Sequence, residues 1–297
     1  MKIVVAGGTG ALGKNLVNTL EKKHEIIILS RSKSKKISKN ITLINYSEDI
    51  NIWSTYLKDS DVIINLVGES IAGKRWSKKQ KKIILNSRLD SVERLGQSLK
   101  LIKHKPKMIM NASAVGYYQS CSNSAIESDP SGDDFLSDVC LKWEEKAHEQ
   151  FYNQTKQLIL LRIGIVLDSR SGMLSKLILP FKLCLGVIIS NGKQHVPWIH
   201  INDVTGIICY LMDTDIKGAV NLVSPKIENN LNFSKKLAKA LNRVVFLKIP
   251  GFIIKLFLGQ MSTMLLKNSN VSSRVILNSN YKFKFENLED ALNDLLS

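Results

Sequence analysis

Three glycines recur at three-residue spacing in Gly7-Gly8-Thr9-Gly10-Ala11-Leu12-Gly13. Glycine at such points leaves no Cβ between backbone and ligand. Successive N–H groups can then be turned toward an anion, with Thr9, Ala11 and Leu12 completing the loop. The chemistry that this spacing suits is recognition of a pyrophosphate. About twenty residues on, an acidic side chain would hold a free ribose 2′-hydroxyl, but the chain has Ser30-Arg31-Ser32-Lys33 there. A guanidinium beside hydroxyls suits a 2′-phosphate, so the expected cofactor is NADP(H). The alternative is an ordinary basic loop in a lysine-rich chain.

The glycines can act only if a strand ends at them and a helix begins beyond them. Ile3 to Ala6 is a short apolar run, Ala11 to Lys22 repeats its apolar residues at helical spacing (Leu12, Leu16, Val17, Leu20), and Glu25 to Leu29 reads as a second strand. Asp61 to Leu66, Lys107 to Asn111 and Leu158 to Arg162 repeat the strand pattern, with helical segments at Lys78 to Lys100 and Phe135 to Gln150. This alternation predicts an α/β fold, a doubly wound parallel sheet of Rossmann type. Residues 1–165 are expected to form the dinucleotide-binding domain, its sheet completed within about 200–225 by a helix at Asn202 to Met212 and a strand at Ala219 to Val223. Residues 166–200 and 226–297 are expected to form a smaller C-terminal α/β substrate lobe. Arg31 to Lys39 reads as a Ser/Lys-rich loop, and Gly192-Lys193-Gln194 as a turn in the cleft wall. The apolar faces of Val245 to Leu265 are expected to pack in the core.

With 297 residues, 44% hydrophobic and 23% charged, the composition is that of a globular chain and excludes a fibrous or disordered one. The net charge of +16 attracts anions, but it comes from 34 Lys and only 8 Arg. Base readout and bidentate phosphate contacts favour Arg, so no nucleic-acid partner is expected. The charge reads as a lysine bias spread over a solvated surface. Cys121, Cys140, Cys184 and Cys209 contain no CxxC pair, so neither a zinc site nor a disulfide framework is expected. Ile3 to Ala6 is too short for a signal-peptide core, and Val244 to Leu258 is interrupted by Lys248, Pro250 and Lys255. A cytoplasmic protein with a small-molecule substrate and no membrane partner is the expectation. The apolar C-terminal faces leave a homodimer open.

Several motifs together resemble the extended short-chain dehydrogenase/reductases, the nucleoside-sugar epimerase and dehydratase group. They are the glycine loop, Asp61 to Leu66 with Val67-Gly68-Glu69, Asn111-Ala112-Ser113-Ala114, Leu161-Arg162-Ile163-Gly164 and Trp198-Ile199-His200-Ile201-Asn202-Asp203. Gly68-Glu69-Ser70-Ile71-Ala72, Lys74-Arg75-Trp76, Ser113-Ala114-Val115-Gly116-Tyr117-Tyr118 and Gly132-Asp133-Asp134-Phe135-Leu136 are similar to an atypical epimerase-like subfamily. That subfamily, also called cell-division-inhibitor-like, ends in a small domain of unknown function. The resemblance implies cofactor contacts at Gly68, Glu69 and Arg75, and a substrate-polarising role for Ser113.

In that superfamily a Tyr and a Lys one helical turn apart move a proton near neutral pH. Here the segment is Phe135-Leu136-Ser137-Asp138-Val139-Cys140-Leu141-Lys142-Trp143-Glu144, which has no Tyr-x-x-x-Lys. By register the two positions fall on Val139 with Trp143 or on Cys140 with Glu144. Tyr117 or Tyr118 is then the candidate phenol, beside Ser113. The reading that results is an NADP(H)-binding oxidoreductase or epimerase-like enzyme acting by hydride exchange on a small polar or nucleotide-sugar-like substrate. Its alternative is a catalytically silent NADP(H)-binding regulator.

Overall fold

The computed structural model describes residues 1–297, the side chain of Cys121 excepted. Strands β1 (Lys2–Ala6), β2 (Glu25–Ser30), β3 (Lys35–Lys36), β4 (Ile41–Asn45), β5 (Val62–Asn65), β6 (Met108–Ala114), β8 (Gln157–Ile163) and β13 (Gly218–Leu222) form one sheet in the order β13-β8-β6-β5-β1-β2-β4-β3. All neighbours are parallel except β3 on β4. This is a doubly wound Rossmann sheet, and the central strands are almost wholly buried because helices cover both faces. The chain leaves β1 toward β2 on one side and returns to β5 on the other. That reversal opens a crevice at the carboxyl end of β1.

Helices α1 (Ala11–Leu20) and α6 (Ile201–Leu211) cover one face, where Leu16, Val17, Leu20, Val204, Ile207 and Ile208 pack on Ile3, Val5, Ile26 and Ile28. The other face carries α2 (Ile50–Trp53), α3 (Lys78–Lys100) and α4 (Phe135–Phe151), whose Trp53, Val92, Leu95, Trp143 and Phe151 meet Val4, Ile63 and Ile109. Ser77 caps α3 and Asp134 caps α4, each side chain accepting first-turn N–H groups.

A second core builds the smaller lobe. Leu174 and Phe181 of α5 (Gly172–Lys182), Phe233 and Leu237 of α7 (Asn230–Ala240), Trp198 and Leu292 pack together. Short strand pairs frame it: β7 (Cys121–Ala125) with β16 (Ser269–Val271), β9 (Ile165–Asp168) with β12 (Trp198–His200), β10 (Val187–Ile189) with β15 (Leu247–Ile249), and β11 (His195–Val196) with β14 (Glu228–Asn229). Helices α8 (Gly251–Leu258), α9 (Thr263–Leu266), α10 (Arg274–Asn278) and α11 (Leu288–Leu296) complete the chain.

Two expectations are corrected here. The basic loop at Arg31 to Lys39 contains the edge strand β3 and leads into the buried strand β4, whose run of Ile41, Leu43 and Ile44 lacks the Gly or Pro punctuation that marks a strand locally. In α8 only Ile254 is buried, so this helix does not pack its apolar face into the core. An apolar pattern records what a side chain is, and cannot show what covers it. Among the described residues no helix is long and apolar enough to cross a membrane.

Candidate functional site

β1 ends at Ala6 and the chain turns at once, with Gly7 at φ +80°, a conformation that other residues rarely adopt. A Cβ on Gly13 would stand 2.3 Å from the Gly7 carbonyl oxygen and 2.6 Å from the Gly8 Cα. The loop and the start of α1 therefore touch backbone to backbone. Gly10 caps α1 in extended conformation without a side-chain hydrogen bond, and the N–H groups of the first turn have no intrahelical acceptor. Thr9, Gly10 and Ala11 are exposed and Leu12 is half-buried. The cradle is thus open at the positive end of the helix and fits a pyrophosphate.

Its rim is the end of β2. The Gly7 N–H donates to the Leu29 carbonyl at 3.0 Å, and Thr9 Oγ1 lies 3.2 Å from Ser30 Oγ. Ser30 is buried and Arg31 exposed. The Arg31 guanidinium has no hydrogen bond or ion pair among the described residues. The opposite rim follows β5. The Glu69 N–H donates to Ser87 Oγ at 3.0 Å, and Arg88 Nη1 donates to the carbonyls of Glu69 at 3.1 Å and Ile84 at 2.8 Å. Gly68 lies against this guanidinium: a Cβ there would come within 3.1 Å of Arg88 Cζ. Burial lowers the Arg88 pKa, with Cys140 and Glu69 opposing, and its guanidinium stands over Trp143 at 5.0 Å. Arg75 is exposed and points elsewhere, to Gly259 beyond α8.

The three candidate catalytic hydroxyls lie at the end of β6 (Ser113) and just past it (Tyr117 and Tyr118), in different states. Ser113 is buried and donates to Glu144 Oε1 at 2.6 Å. Glu144 also receives Arg162 Nε at 2.9 Å and Nη2 at 2.8 Å. Arg162 Nη1 donates to the Tyr118 hydroxyl at 2.8 Å, which donates to Asn221 Oδ1 at 2.7 Å. Burial pushes the Tyr118 phenol up to about 12 against the opposing Arg162 charge, so it stays protonated at neutral pH. Tyr117 is half-buried, its ring 3.6 Å from Arg162 Cζ and edge-on to Tyr118. Its hydroxyl makes no hydrogen bond among the described residues. Val139, Cys140, Trp143 and Glu144 are all buried, and burial followed by the Glu144 charge pushes the Cys140 thiol up to about 12. The Cys140 register of the missing Tyr and Lys thus offers no thiol that titrates near neutrality.

This arrangement has known counterparts. Residues 3–138 match the NAD dependent epimerase/dehydratase family, and residues 249–295 match a domain of unknown function, DUF1731. Epimerase family protein SH2119 of Staphylococcus haemolyticus is 33% identical over 99% of both chains. Epimerase family protein SDR39U1 of Mus musculus is 33% identical over the full length of both. The chain belongs to the epimerase family. The solved structure of human epimerase family protein SDR39U1 (isoform 2) with NADPH superposes with a TM-score of 0.89 at 30% identity, covering 100% of this chain and 99% of that one. UDP-glucuronic acid 4-epimerase from Bacillus cereus shares the fold, with a TM-score of 0.78 at 19% identity over 100% of this chain and 98% of that one.

Within this epimerase-family chain, sequence reasoning gave no role to Glu144, Arg162, Asn221 and Arg88. A charge inside an apolar stripe was the available signal: Glu144 shares the buried face of α4 with Trp143 and Ala147, and Arg162 sits in a strand of Leu and Ile. Lys267 was also unforeseen. Its ammonium reaches Asp134 Oδ2 at 2.7 Å and the Gly116 carbonyl at 3.4 Å, tying the smaller lobe to the loop that carries Tyr117. Lys193 and Gln194 line a cavity of about 600 Å³ with Asn191, Phe252, Lys255 and Leu266. Asn268, another wall residue, donates its N–H to Ser120 at 3.1 Å, two residues past Tyr118. His200 and Asp203 serve the fold, His200 capping α6 and Asp203 accepting the N–H groups of Lys284 and Phe285.

Proposed function

We propose that the chain binds NADP(H) and uses it for reversible hydride exchange with a small polar or nucleotide-sugar-like substrate in a cytoplasmic setting. The observation that carries this reading is the glycine cradle opening onto Ser30 and the unengaged Arg31, with no carboxylate at the end of β2. The NADPH found with the human relative supports it. Gly7, Thr9, Gly10, Ala11, Leu12 and Gly13 would hold the pyrophosphate, Ser30 and Arg31 the 2′-phosphate, and the Gly68–Glu69 backbone the nicotinamide side. When bound, the dinucleotide supplies the hydride.

The division of labour we infer gives residues 1–165, with the strand near 218–222, to the cofactor. Residues 166–200 and 226–297 then supply the substrate wall, including the cavity beside Lys193. Tyr117 is the phenol with its hydroxyl uncommitted, its ring held against the Arg162 guanidinium. Tyr117 would therefore hold or move the substrate proton, while Ser113 and Tyr118 fix the loop that presents it. Titrating the purified protein with NADPH and NADH, followed by nicotinamide fluorescence, tests cofactor binding. Single-turnover hydride transfer to carbonyl and sugar-nucleotide substrates by wild type and Tyr117→Phe tests the chemistry. A folded protein that binds neither dinucleotide overturns the reading.

One observation favours the silent regulator instead. Ser113 and Tyr118 are both bound into the Glu144–Arg162–Asn221 network, and Cys140 is not poised to titrate. NADPH binding with no turnover on any carbonyl class would decide for that reading.

A further inference from the structure

The positive charge is not spread over the chain. No Asp or Glu lies between Asp168 and Asp203, or between Glu228 and Glu286, and these two stretches carry four and ten Lys or Arg. They supply 14 of the 16 net charges, leaving 28 basic against 26 acidic side chains in the rest of the chain. Most of both stretches folds into the smaller lobe, where β10 pairs with β15, while Ile199, Ile276 and Phe283 pack on the core of the main sheet.

On that lobe large apolar side chains face solvent. Phe252, Leu256 and Phe257 of α8 are 71%, 74% and 72% exposed. Phe252 and Leu256 are one turn apart and share a face. Phe246 lies just before β15, and Leu183 and Leu185 just before its partner β10, all exposed. Lys255 lines a cavity with Phe252, Lys248 lies on β15, and Lys235, Lys239 and Arg243 line a second pocket beside Cys184, with Lys182 two residues before it; none of the six has a carboxylate within ion-pairing distance among the described residues. Arg243 Nε donates to the Lys182 carbonyl at 2.9 Å, joining the end of α5 to the segment between α7 and β15.

We propose that this face docks the protein peripherally on an anionic lipid surface. Phe252, Leu256 and Phe257 enter the headgroup–acyl boundary and the six cations meet the lipid phosphates. Aromatic and aliphatic tips ringed by Lys are what such an interface selects. A symmetric contact with a second copy would bring six unpaired cations against six more. A nucleic acid would leave Phe252, Leu256 and Phe257 without an apolar partner. Core packing of Val245 to Leu265 was the expectation set against membrane association, and the exposure of α8 removes it for that helix.

The test uses the full chain and a Phe257→Trp reporter. The four native tryptophans, Trp53, Trp76, Trp143 and Trp198, are buried, so they give a constant background. Flotation is measured with phosphatidylcholine vesicles, alone or mixed with phosphatidylglycerol, at low and high salt. The expected result is flotation with the anionic vesicles only, a blue shift of the new tryptophan, and loss of binding at high salt. Leu256→Ser with Phe257→Ser, or Lys248→Glu with Lys255→Glu, should each weaken binding by about tenfold or more at unchanged thermal stability. Four results overturn the proposal: no flotation with anionic vesicles, flotation indifferent to the apolar pair, a dimer that hides residue 257 in sedimentation, or duplex DNA that displaces the vesicles without a spectral shift.

Discussion

Arg162 of β8 and Glu144 of α4 meet through two parallel hydrogen bonds of 2.9 and 2.8 Å, both side chains almost fully buried where helix meets sheet. Burial opposes the Arg162 charge, and the Glu144 carboxylate more than compensates, raising the Arg162 pKa. Ser113, Tyr118 and the Glu127 carbonyl take up further bonding directions of the pair, and Asn221 in turn accepts from Tyr118. The loop bearing Tyr117 is thereby anchored to three strands of the sheet.

Removing one partner strands the other charge in the interior. Arg162→Met or Glu144→Leu should each cost about 3–5 kcal/mol of unfolding free energy in urea, while the double replacement should cost clearly less than their sum. Additive losses would show that the pair is not coupled.

The glycine cradle makes a sharper prediction, because the clash is with backbone. Gly13→Ala places a methyl 2.3 Å from the Gly7 oxygen, so the loop must move away from α1. Dinucleotide affinity should fall by at least about tenfold, and stability by about 1–3 kcal/mol as for other overpacked sites. Isothermal titration beside thermal melting separates the two effects.

What the sequence made legible is local. A strand, three glycines and an amphipathic helix follow one another within the first twenty residues, so the loop and the doubly wound class could be read from spacing. The Glu144–Arg162 pair could not, since its members belong to different elements and only the fold brings them together. Tyr117 and Tyr118 are sequence neighbours of one type; backbone direction alone sends one into the Arg162–Asn221 network and leaves the hydroxyl of the other without a bond. The apolar run of α8 read as core because its pattern is that of a buried helix, and its neighbours in space could not be read from it.

Arg31 tests the cofactor choice. Arg31→Ala should weaken NADPH binding by about tenfold or more, the loss of a charge-assisted phosphate contact, and leave NADH binding nearly unchanged. Equal losses for both dinucleotides would mean that the guanidinium does not read the 2′ position.

The Lys267–Asp134 contact predicts an acid-sensitive hinge between lobe and domain. Burial would raise the Asp134 carboxyl, but the Lys267 ammonium and the N–H groups of Ser137 and Leu136 hold it below its ordinary value. A carboxyl lowered on folding stabilises the native state above about pH 4, and that contribution fades as pH falls through the folded value. Lys267→Met should destabilise the protein at pH 7 and flatten its stability below pH 4, as followed by urea midpoints. An unchanged acid limb would assign it to other carboxylates.

His200 gives a second titration, in a different window. Its ring is fully buried and its Nδ1 accepts the Asn202 N–H at 3.1 Å, so it caps α6 as the neutral form. Burial is the main cause that lowers its pKa to about 4 from 6.5, with Asp294, 3.3 Å from Nε2, opposing. The unfolded chain therefore takes up a proton at a pH where the folded one does not. Stability from this group is complete above pH 6.5 and declines as pH drops toward 4, a loss of about 3 kcal/mol at most. His200→Asn keeps an oxygen for the cap and removes the titration. Its urea midpoint should change less than that of wild type between pH 7 and pH 5, and equal slopes for the two proteins would rule out His200 as the source.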